Sequence, residues 1–301
     1  MTAPRASFTS RLKTWLMAAR PKTLTAAIAP ILVGTTLSHA AFYPSRWDLA
    51  IFALLSSLFI QIGTNLINDS IDFKKGTDTE ERIGPKRVTQ SGLLSPQTVM
   101  LGGFICFAIS ALLAVPLLLQ GGWVIVGIGA LSLLCGYAYT GGPFPLAYVG
   151  LGDLFVLLFF GLAAVGGVYY LNTGTFDLKP VVAGVQIGLL AMVMIAINNL
   201  RDAEGDKKTG KKTLAVRFGK AFSRAEITFL CLAPFAMGIY WFNLGLTAAA
   251  VAPLLVLPLA IRVVSKIQNT EPSPAYNAFL GMSALLHLLF GILLSAGFNL
   301  T

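Results

Sequence analysis

The sequence predicts an all-α polytopic membrane protein, nine transmembrane helices around a central cavity, with a cytoplasmic N-terminus. Three observations lead there. Of 301 residues, 55% are hydrophobic and only 12% charged, about half the charged share of a soluble domain. The apolar residues gather in runs long enough to cross a bilayer, which takes ~20 residues per helix. Twenty of the 22 lysines and arginines fall on alternate connections between those runs, as the positive-inside rule requires.

The elements follow in order. Residues 9–20, TSRLKTWLMAAR, set Leu12, Trp15, Leu16 and Ala19 on one side and Arg11, Lys13 and Arg20 elsewhere, which predicts a short interfacial helix. Spans are expected at about 23–42, 48–68, 97–119, 122–140, 150–171, 180–199, 225–243, 246–265 and 275–298. Only a few residues join the third to the fourth and the seventh to the eighth, so these pairs are antiparallel neighbours. The chain is expected to be one transmembrane domain, 1–301. Residues 1–22 form its cytoplasmic or interfacial N-terminal segment, and 69–96 and 200–224 are cytoplasmic active-site loops.

Charge fixes the sidedness. Lysine and arginine number five up to Lys22, five in 69–96, eight in 200–224 and two in 262–274, against Arg46 and Lys179 alone on the other side. An odd span count then leaves the C-terminus outside. Residues 1–22 are polar and basic with no small-residue cleavage site following, so no cleavable signal is expected. The net charge of +9, distributed this way, suits anionic membrane lipid and not nucleic acid. Cys106, Cys135 and Cys231 lie in apolar runs, without the spacing of a zinc site or a disulfide framework, and are read as small core residues.

Acidic residues are rarer and more concentrated. Of thirteen, five lie between Asp69 and Glu81 and three between Asp202 and Asp206. In the first group Asn65, Asn68, Asp69, Asp72 and Gly76 share roughly one face of a helix end, followed by Lys74, Lys75, Arg82, Lys86 and Arg87. In the second, Asn198, Asp202 and Asp206 stand four apart, followed by Lys207 and Lys211. Aligning Asn68 with Asn198 and Asp72 with Asp202 gives a short duplication 130 residues apart, each copy trailed by a basic, glycine-containing stretch (GPKR at 84–87, GKK at 210–212).

Two such faces opposed across a cavity suit a diphosphate. Magnesium takes oxygen ligands and sits between a few carboxylates and substrate phosphates. Asn68, Asp69, Asp72, Asn198, Asp202 and Asp206 are the expected metal ligands, with the four aspartates as the catalytic set. Lys74, Arg82, Lys86, Arg87, Lys207 and Lys211 are the expected diphosphate contacts. Ionisation of an allylic diphosphate is the reaction this arrangement favours. Solvated loop charges are the ordinary reading of one such motif; two matched motifs at equivalent helix ends argue against it.

At these residues the chain resembles the UbiA superfamily of intramembrane aromatic prenyltransferases, which have nine helices and the motifs N-x-x-x-D-x-x-x-D and D-x-x-x-D. Asn68 and Asp72 match the first and Asp202 and Asp206 the second; Gly76 stands where the first motif's last acid belongs, with Asp78 two residues on. The stretches NDSIDFKKGTDTEERIGPKRVTQSG, YTGGPFPLAYVGLGD and NNLRDAEGDKKTGKKTLAVRFG, together with Arg20-Pro21-Lys22-Thr23, look most like the branch that prenylates 1,4-dihydroxy-2-naphthoate in menaquinone synthesis. The resemblance implies magnesium-dependent transfer from a long polyprenyl diphosphate, decarboxylation of the naphthoate to give demethylmenaquinone, and a place in the bacterial inner membrane.

An aromatic acid needs cationic or donor groups, for which Arg20, Lys22, Asn65 and Arg201 are candidates. Tyr139 ends the fourth span before Gly141-Gly142-Pro143 and is carried over from related enzymes as a substrate contact; an interfacial belt tyrosine is the plainer reading. Asp153, at the start of the fifth span, is a candidate to hold an acceptor hydroxyl, against simple complementarity to its own helix N-terminus. His287, alone in the ninth span, is read as a hydrogen-bonded packing residue. Acceptors of sister branches, 4-hydroxybenzoate or homogentisate, stay open. A secondary transporter would place its charges at midplane, and nine spans exclude a soluble prenyl diphosphate synthase.

Overall fold

The computed structural model describes residues 8–77 and 83–300, and among them every regular element is helical. The short α1 (Phe8–Ala19) is followed by spans α2 (Pro21–Ala40) and α3 (Trp47–Lys74). The apolar stretch Pro96–Ala138 is continuous in hydropathy but broken at Gly122, where φ of 58° and ψ of −147° reverse the chain. Only glycine adopts that backbone readily, so the stretch is two spans, α4 (96–121) and α5 (123–138). Then come α6 (Gly152–Thr173), α7 (Leu178–Lys208), α8 (Leu214–Asn243), α9 (Thr247–Asn269) and α10 (Tyr276–Asn299). The nine expected spans, α2–α10, are all present among the described residues.

Boundaries differ where charge was taken as the end of a helix. α3 continues to Lys74 and α7 to Lys208, so both acidic motifs are final helical turns rather than loops. α8 opens with a separate helical turn over 214–218, capped by the Thr213 hydroxyl accepting from Val216 N at 3.4 Å, and Gly219, with φ of 79° and ψ of −178°, breaks that turn from the span that follows. The connections shrink to 75–95 and 209–213.

In hydrocarbon every polar backbone group must be satisfied within the protein, and helix contact relies on close packing. Helix α7 is the most enclosed span, meeting α2, α6, α8 and α10. Its Gly184 and Gly188 lie directly against Gly161 of α6, where an added Cβ would fall 2.4 Å from the Gly184 carbonyl oxygen. Around that contact α6 widens into a π-helical segment over 157–163. Gln186 of α7 donates to the Pro234 carbonyl at 2.7 Å and accepts from Trp241 Nε1 at 2.8 Å, tying α7 directly to α8. Leucines on α4 such as Leu112 and Leu119 are 71% and 83% exposed, which suits lipid. Helix α1 packs Trp15 and Ala18 against Leu66, Val88 and Val99, leaving Leu12 and Leu16 outward, as an interfacial helix does.

Candidate active site

Both acidic helix ends reach the same end of the bundle, and the loop between α5 and α6 is stitched across them. Lys212 N donates to Tyr148 O at 2.8 Å, and Arg217 bridges Lys212 O at 2.9 Å and Val149 O at 2.7 Å. Gly150, with φ of +79°, lies so close that a Cβ would meet Lys212 O at 2.5 Å. These contacts insert Tyr148 between the two motifs. Its hydroxyl donates to Asp72 Oδ1 at 2.8 Å and meets Thr77 Oγ1 at 3.1 Å. The ammonium groups of Lys75 and Lys211 stand over its ring, 4.4 and 5.0 Å from the centroid.

Asp72 is the meeting point. Its Oδ2 lies 3.8 Å from Arg87 and 4.0 Å from Lys211, and Lys211 lies 3.6 Å from Asp206. One lysine thus joins the carboxylates of opposed helices. Beside them Thr140 Oγ1 donates to Asn68 Oδ1 at 2.7 Å, while Lys75 Nζ donates to Thr140 O at 2.8 Å. Two helix C-termini, each with partial negative charge, converge here with Asp72 and Asp206. The field favours cations, and a phosphate group is held only together with them.

Several expected site residues are placed otherwise. Asp69 is turned into the protein: its carboxylate accepts from Val88 N at 3.2 Å and from the Thr89 hydroxyl, fixing the 83–95 connection. It is an anchor, not a ligand. Arg201 is fully buried and spent on protein groups, with both Asp202 oxygens at 2.8 and 2.6 Å, Asn277 Oδ1 at 2.6 Å and Asn198 Oδ1 at 2.5 Å. It therefore reads no acceptor, and Asn198 serves it rather than a metal. Asn65 donates its amide to Ala19 O at 3.0 Å and Thr23 Oγ1 at 3.1 Å, holding the turn at Arg20, and is not a free acceptor contact. Lys74, Lys86 and Lys207 are exposed; the cations placed at the cluster are the expected Arg87 and Lys211, joined by Lys75. Lys22 is exposed as well. Arg82 and Asp78 lie outside the described residues.

The Gly76 departure has a conformational cause. Gly76 has φ of +68° and closes α3, with Gly76 N donating to Phe73 O and Thr77 N to Asp72 O, both at 3.0 Å. This is a Schellman cap, which favours glycine at the left-handed position. An aspartate there would be strained.

Beneath the cluster opens a cavity of about 120 Å³ between α2, α3, α5 and α6, several times what one water needs. Tyr139 lines it, its hydroxyl close to Gly152, and lies within electrostatic reach of Arg20, Asp72, Asp153 and Asp206. Asp153 is 3% exposed; Oδ2 accepts from Asn199 at 3.4 Å, and Oδ1 has no partner among the described residues. Arg20 takes the left-handed backbone, φ 54°, at the joint between α1 and α2. Cys231 is core, whereas Cys135 lines the cavity. His287 is buried, yet neither ring nitrogen finds a partner among the described residues, contrary to the hydrogen-bonded packing expected.

The donor set fits magnesium by chemistry. Asp72 and Asp206 bring hard carboxylate oxygens together, balanced by Lys211 and Arg87, whereas Asp202 and Asn68 are already engaged by Arg201 and Thr140, and no third carboxylate joins the pair among the described residues. Sequence reading gave no role to Tyr148, Thr140 and Asn277, and named Lys75 only among the cations that follow the first motif. For Tyr148 a signal existed in GGPFPLAYVG, whose glycines and prolines mark a built turn beside a motif.

Comparison with known proteins agrees with this architecture. Residues 27–294 match the family model described as the UbiA prenyltransferase family. The chain is 37% identical to the 1,4-dihydroxy-2-naphthoate octaprenyltransferase of Haemophilus influenzae, over 95% of this chain and 97% of that one. It is 35% identical to the Bacillus subtilis protein of the same name, over 92% and 89%. Among solved structures, an apo UbiA homolog from Aeropyrum pernix shares the fold with a TM-score of 0.70 at 19% identity, covering 93% of this chain and 98% of that one. A UbiA homolog from Archaeoglobus fulgidus bound to DMAPP and Mg2+ gives 0.63 at 19% identity, covering 94% and 99%. This chain is an integral membrane protein that belongs to the UbiA prenyltransferase family.

Proposed function

We propose that the chain transfers a polyprenyl group from polyprenyl diphosphate to 1,4-dihydroxy-2-naphthoate, with magnesium, at the cytoplasmic face of a bacterial inner membrane. The observation that carries the reaction type is the pair Asp72 and Asp206, joined through Lys211 at 4.0 and 3.6 Å above an apolar cavity. Relatives that span nearly the whole chain and bear the naphthoate prenyltransferase name support the acceptor. The concentration of lysine and arginine around both motifs supports the cytoplasmic side.

Asp72 and Asp206 would hold magnesium, which supplies charge neutralisation to the leaving diphosphate, with Asp202 held beside them by Arg201. Arg87, Lys75 and Lys211 bind its phosphate oxygens, and Tyr148 fixes the orientation of Asp72. The allylic C–O bond breaks with its electron pair leaving on diphosphate. Phe155, Phe159 and Phe160 keep water from the allylic cation and face it with π-electrons. Arg20 takes the acceptor carboxylate and Asp153 accepts a hydrogen bond from a ring hydroxyl, raising the ring's electron density. The ring carbon that bears the carboxylate bonds to the prenyl C1, and the carboxylate leaves that carbon as CO2, the electron pair of the broken C–C bond restoring the aromatic ring. The product is the quinol form of demethylmenaquinone.

The test supplies membranes containing the protein with a polyprenyl diphosphate, magnesium and either dihydroxynaphthoate or hydroxybenzoate. Prenylated naphthoquinol is expected. No magnesium-dependent product from any aromatic acceptor would overturn the enzyme reading, and product from hydroxybenzoate alone would move the chain to a sister branch.

A further inference from the structure

The cavity beneath the acidic cluster has two unlike walls. On α6, Phe155, Phe159 and Phe160 present an aromatic face, with Phe155 and Phe159 stacked at 5.9 Å between centroids. On α3, Ser57, Gln61 and Thr64 present a polar one. Their spacing of four and then three residues keeps them on a single helix face, which continues upward to Asn68 and Asp72. A polyprenyl tail uses the aromatic wall alone. It offers nothing to an amide and two hydroxyls.

Those groups are also without protein partners. None of Ser57, Gln61 and Thr64 has a hydrogen-bond partner among the described residues, unlike Ser56 of the same helix, which meets Ser110 Oγ at 2.8 Å. α5 comes close to one of them, since a Cβ on Gly136 would fall 2.7 Å from Thr64 Oγ1, and both residues line the cavity. A glutamine well inside a span is expensive in hydrocarbon and marks function when it faces a cavity. Polar groups so placed call for a ligand that brings its own donor and acceptor.

We propose that Ser57, Gln61 and Thr64 form a subsite for the acceptor hydroxyl farthest from the site's mouth, selecting a para-dihydroxylated aromatic acid over a monohydroxy one. This subsite rests on the prenyl-transfer reading and deepens it. Gln61 lies one turn, about 6 Å, below Asn65 along α3, and Asn65 holds the turn that carries Arg20. A carboxylate held by Arg20 then leaves a fused bicyclic ring reaching down α3, its far hydroxyl level with Gln61. The ring lies against the polar wall and the prenyl chain against the phenylalanines, so the reacting carbons face each other across the cavity.

The experiment compares wild type with Gln61→Leu, and with Thr64→Val as a milder second variant. Two affinities are read in each. One is the Michaelis constant for the dihydroxynaphthoate acceptor. The other is the inhibition constant for its monohydroxy analogue, 1-hydroxy-2-naphthoate, which lacks the far hydroxyl and competes for the same site. Reading affinity for both removes the difference in their ring reactivity. Gln61→Leu is expected to weaken the dihydroxy acceptor about 10- to 100-fold, since a hydroxyl is left unpaired in a dry site. The affinities for the analogue and for polyprenyl diphosphate stay within about twofold, and Thr64→Val shifts the dihydroxy acceptor in the same direction by less. Equal weakening of both acids, or of neither, would overturn the subsite while prenyl transfer stands. A wild type that prenylates no aromatic acid would overturn the underlying reading.

Discussion

Replacing Tyr148 by phenylalanine separates the two things its side chain does. The change removes the hydroxyl that donates to Asp72 at 2.8 Å and leaves the ring beneath Lys75 and Lys211. A hydrogen bond to a charged group contributes about 1.5–3 kcal/mol. The low end applies, because Arg87 and Lys211 still balance Asp72 from 3.8 and 4.0 Å. About 1.5 kcal/mol of orientation is roughly tenfold in kcat/KM. Tyr148→Leu removes the ring as well. Each of the two cation–π contacts is worth about 0.5–1 kcal/mol, so leucine is expected to lose a further five- to thirtyfold. The assay is prenyl transfer in membranes, with magnesium titrated at fixed polyprenyl diphosphate and product quantified chromatographically. The magnesium concentration for half-maximal rate is expected to rise in both variants. Phenylalanine within twofold of wild type, or leucine no worse than phenylalanine, would refute the assignment of Tyr148 as the residue that orients Asp72 and spaces the lysines.

Asp72→Asn and Asp206→Asn should each lower turnover at least a thousandfold with the melting temperature in detergent little changed; near-normal activity removes that residue from the metal site. Asp69→Asn should do the reverse, lowering the melting temperature through the lost hold on Val88 and Thr89 while retaining a larger share of turnover than Asp72→Asn. Arg201→Leu should destabilise by about 3–5 kcal/mol, the usual loss when one partner of a buried ion pair is removed, seen as poor membrane accumulation, with Arg201→Lys intermediate. Gly76→Asp, which restores the third acid of the family pattern, should lower stability by about 1–2 kcal/mol and gain no activity; higher activity would show that a carboxylate is wanted there after all.

The span count was legible in the sequence because hydropathy and charge sidedness are properties of composition along the chain. Gly122 and Gly76 show the limit. Each acts through a positive φ, which a residue type permits but a pattern does not prove. The motifs' location was legible too, yet their division of labour was not. Whether an aspartate faces a cavity or a neighbouring loop depends on what packs beside it, and Asp69 and Asp72 differ only by Thr89 and Val88 on one side and Tyr148 on the other. Arg201 was misread for the same reason: a cation next to a motif looks like a ligand contact until Asn277, far along the chain, is brought to it.

The helix ends also revise how the two motifs correspond. Asparagine matching sets Asn68 against Asn198, 130 positions apart. The caps set a different register. α3 closes with Gly76 N on Phe73 O and Thr77 N on Asp72 O; α7 closes with Gly210 N on Lys207 O and Lys211 N on Asp206 O. Gly210, with φ of +78°, repeats Gly76, so Asp206 corresponds to Asp72 and Asp202 to Asn68, 134 positions apart. In this register Gly76 is matched by Gly210, so no acid is called for at position 76, and at these positions the two motifs differ only in Asn68 against Asp202. Each helix presents one carboxylate at the residue whose carbonyl the cap uses, and one oxygen-bearing side chain a turn earlier. Lys211 occupies the last position of its cap, so the amide that terminates α7 and the ammonium between Asp72 and Asp206 belong to one residue. The same backbone bonds that stop the helices therefore set the spacing of the charges, which a pair of flexible loops could not do.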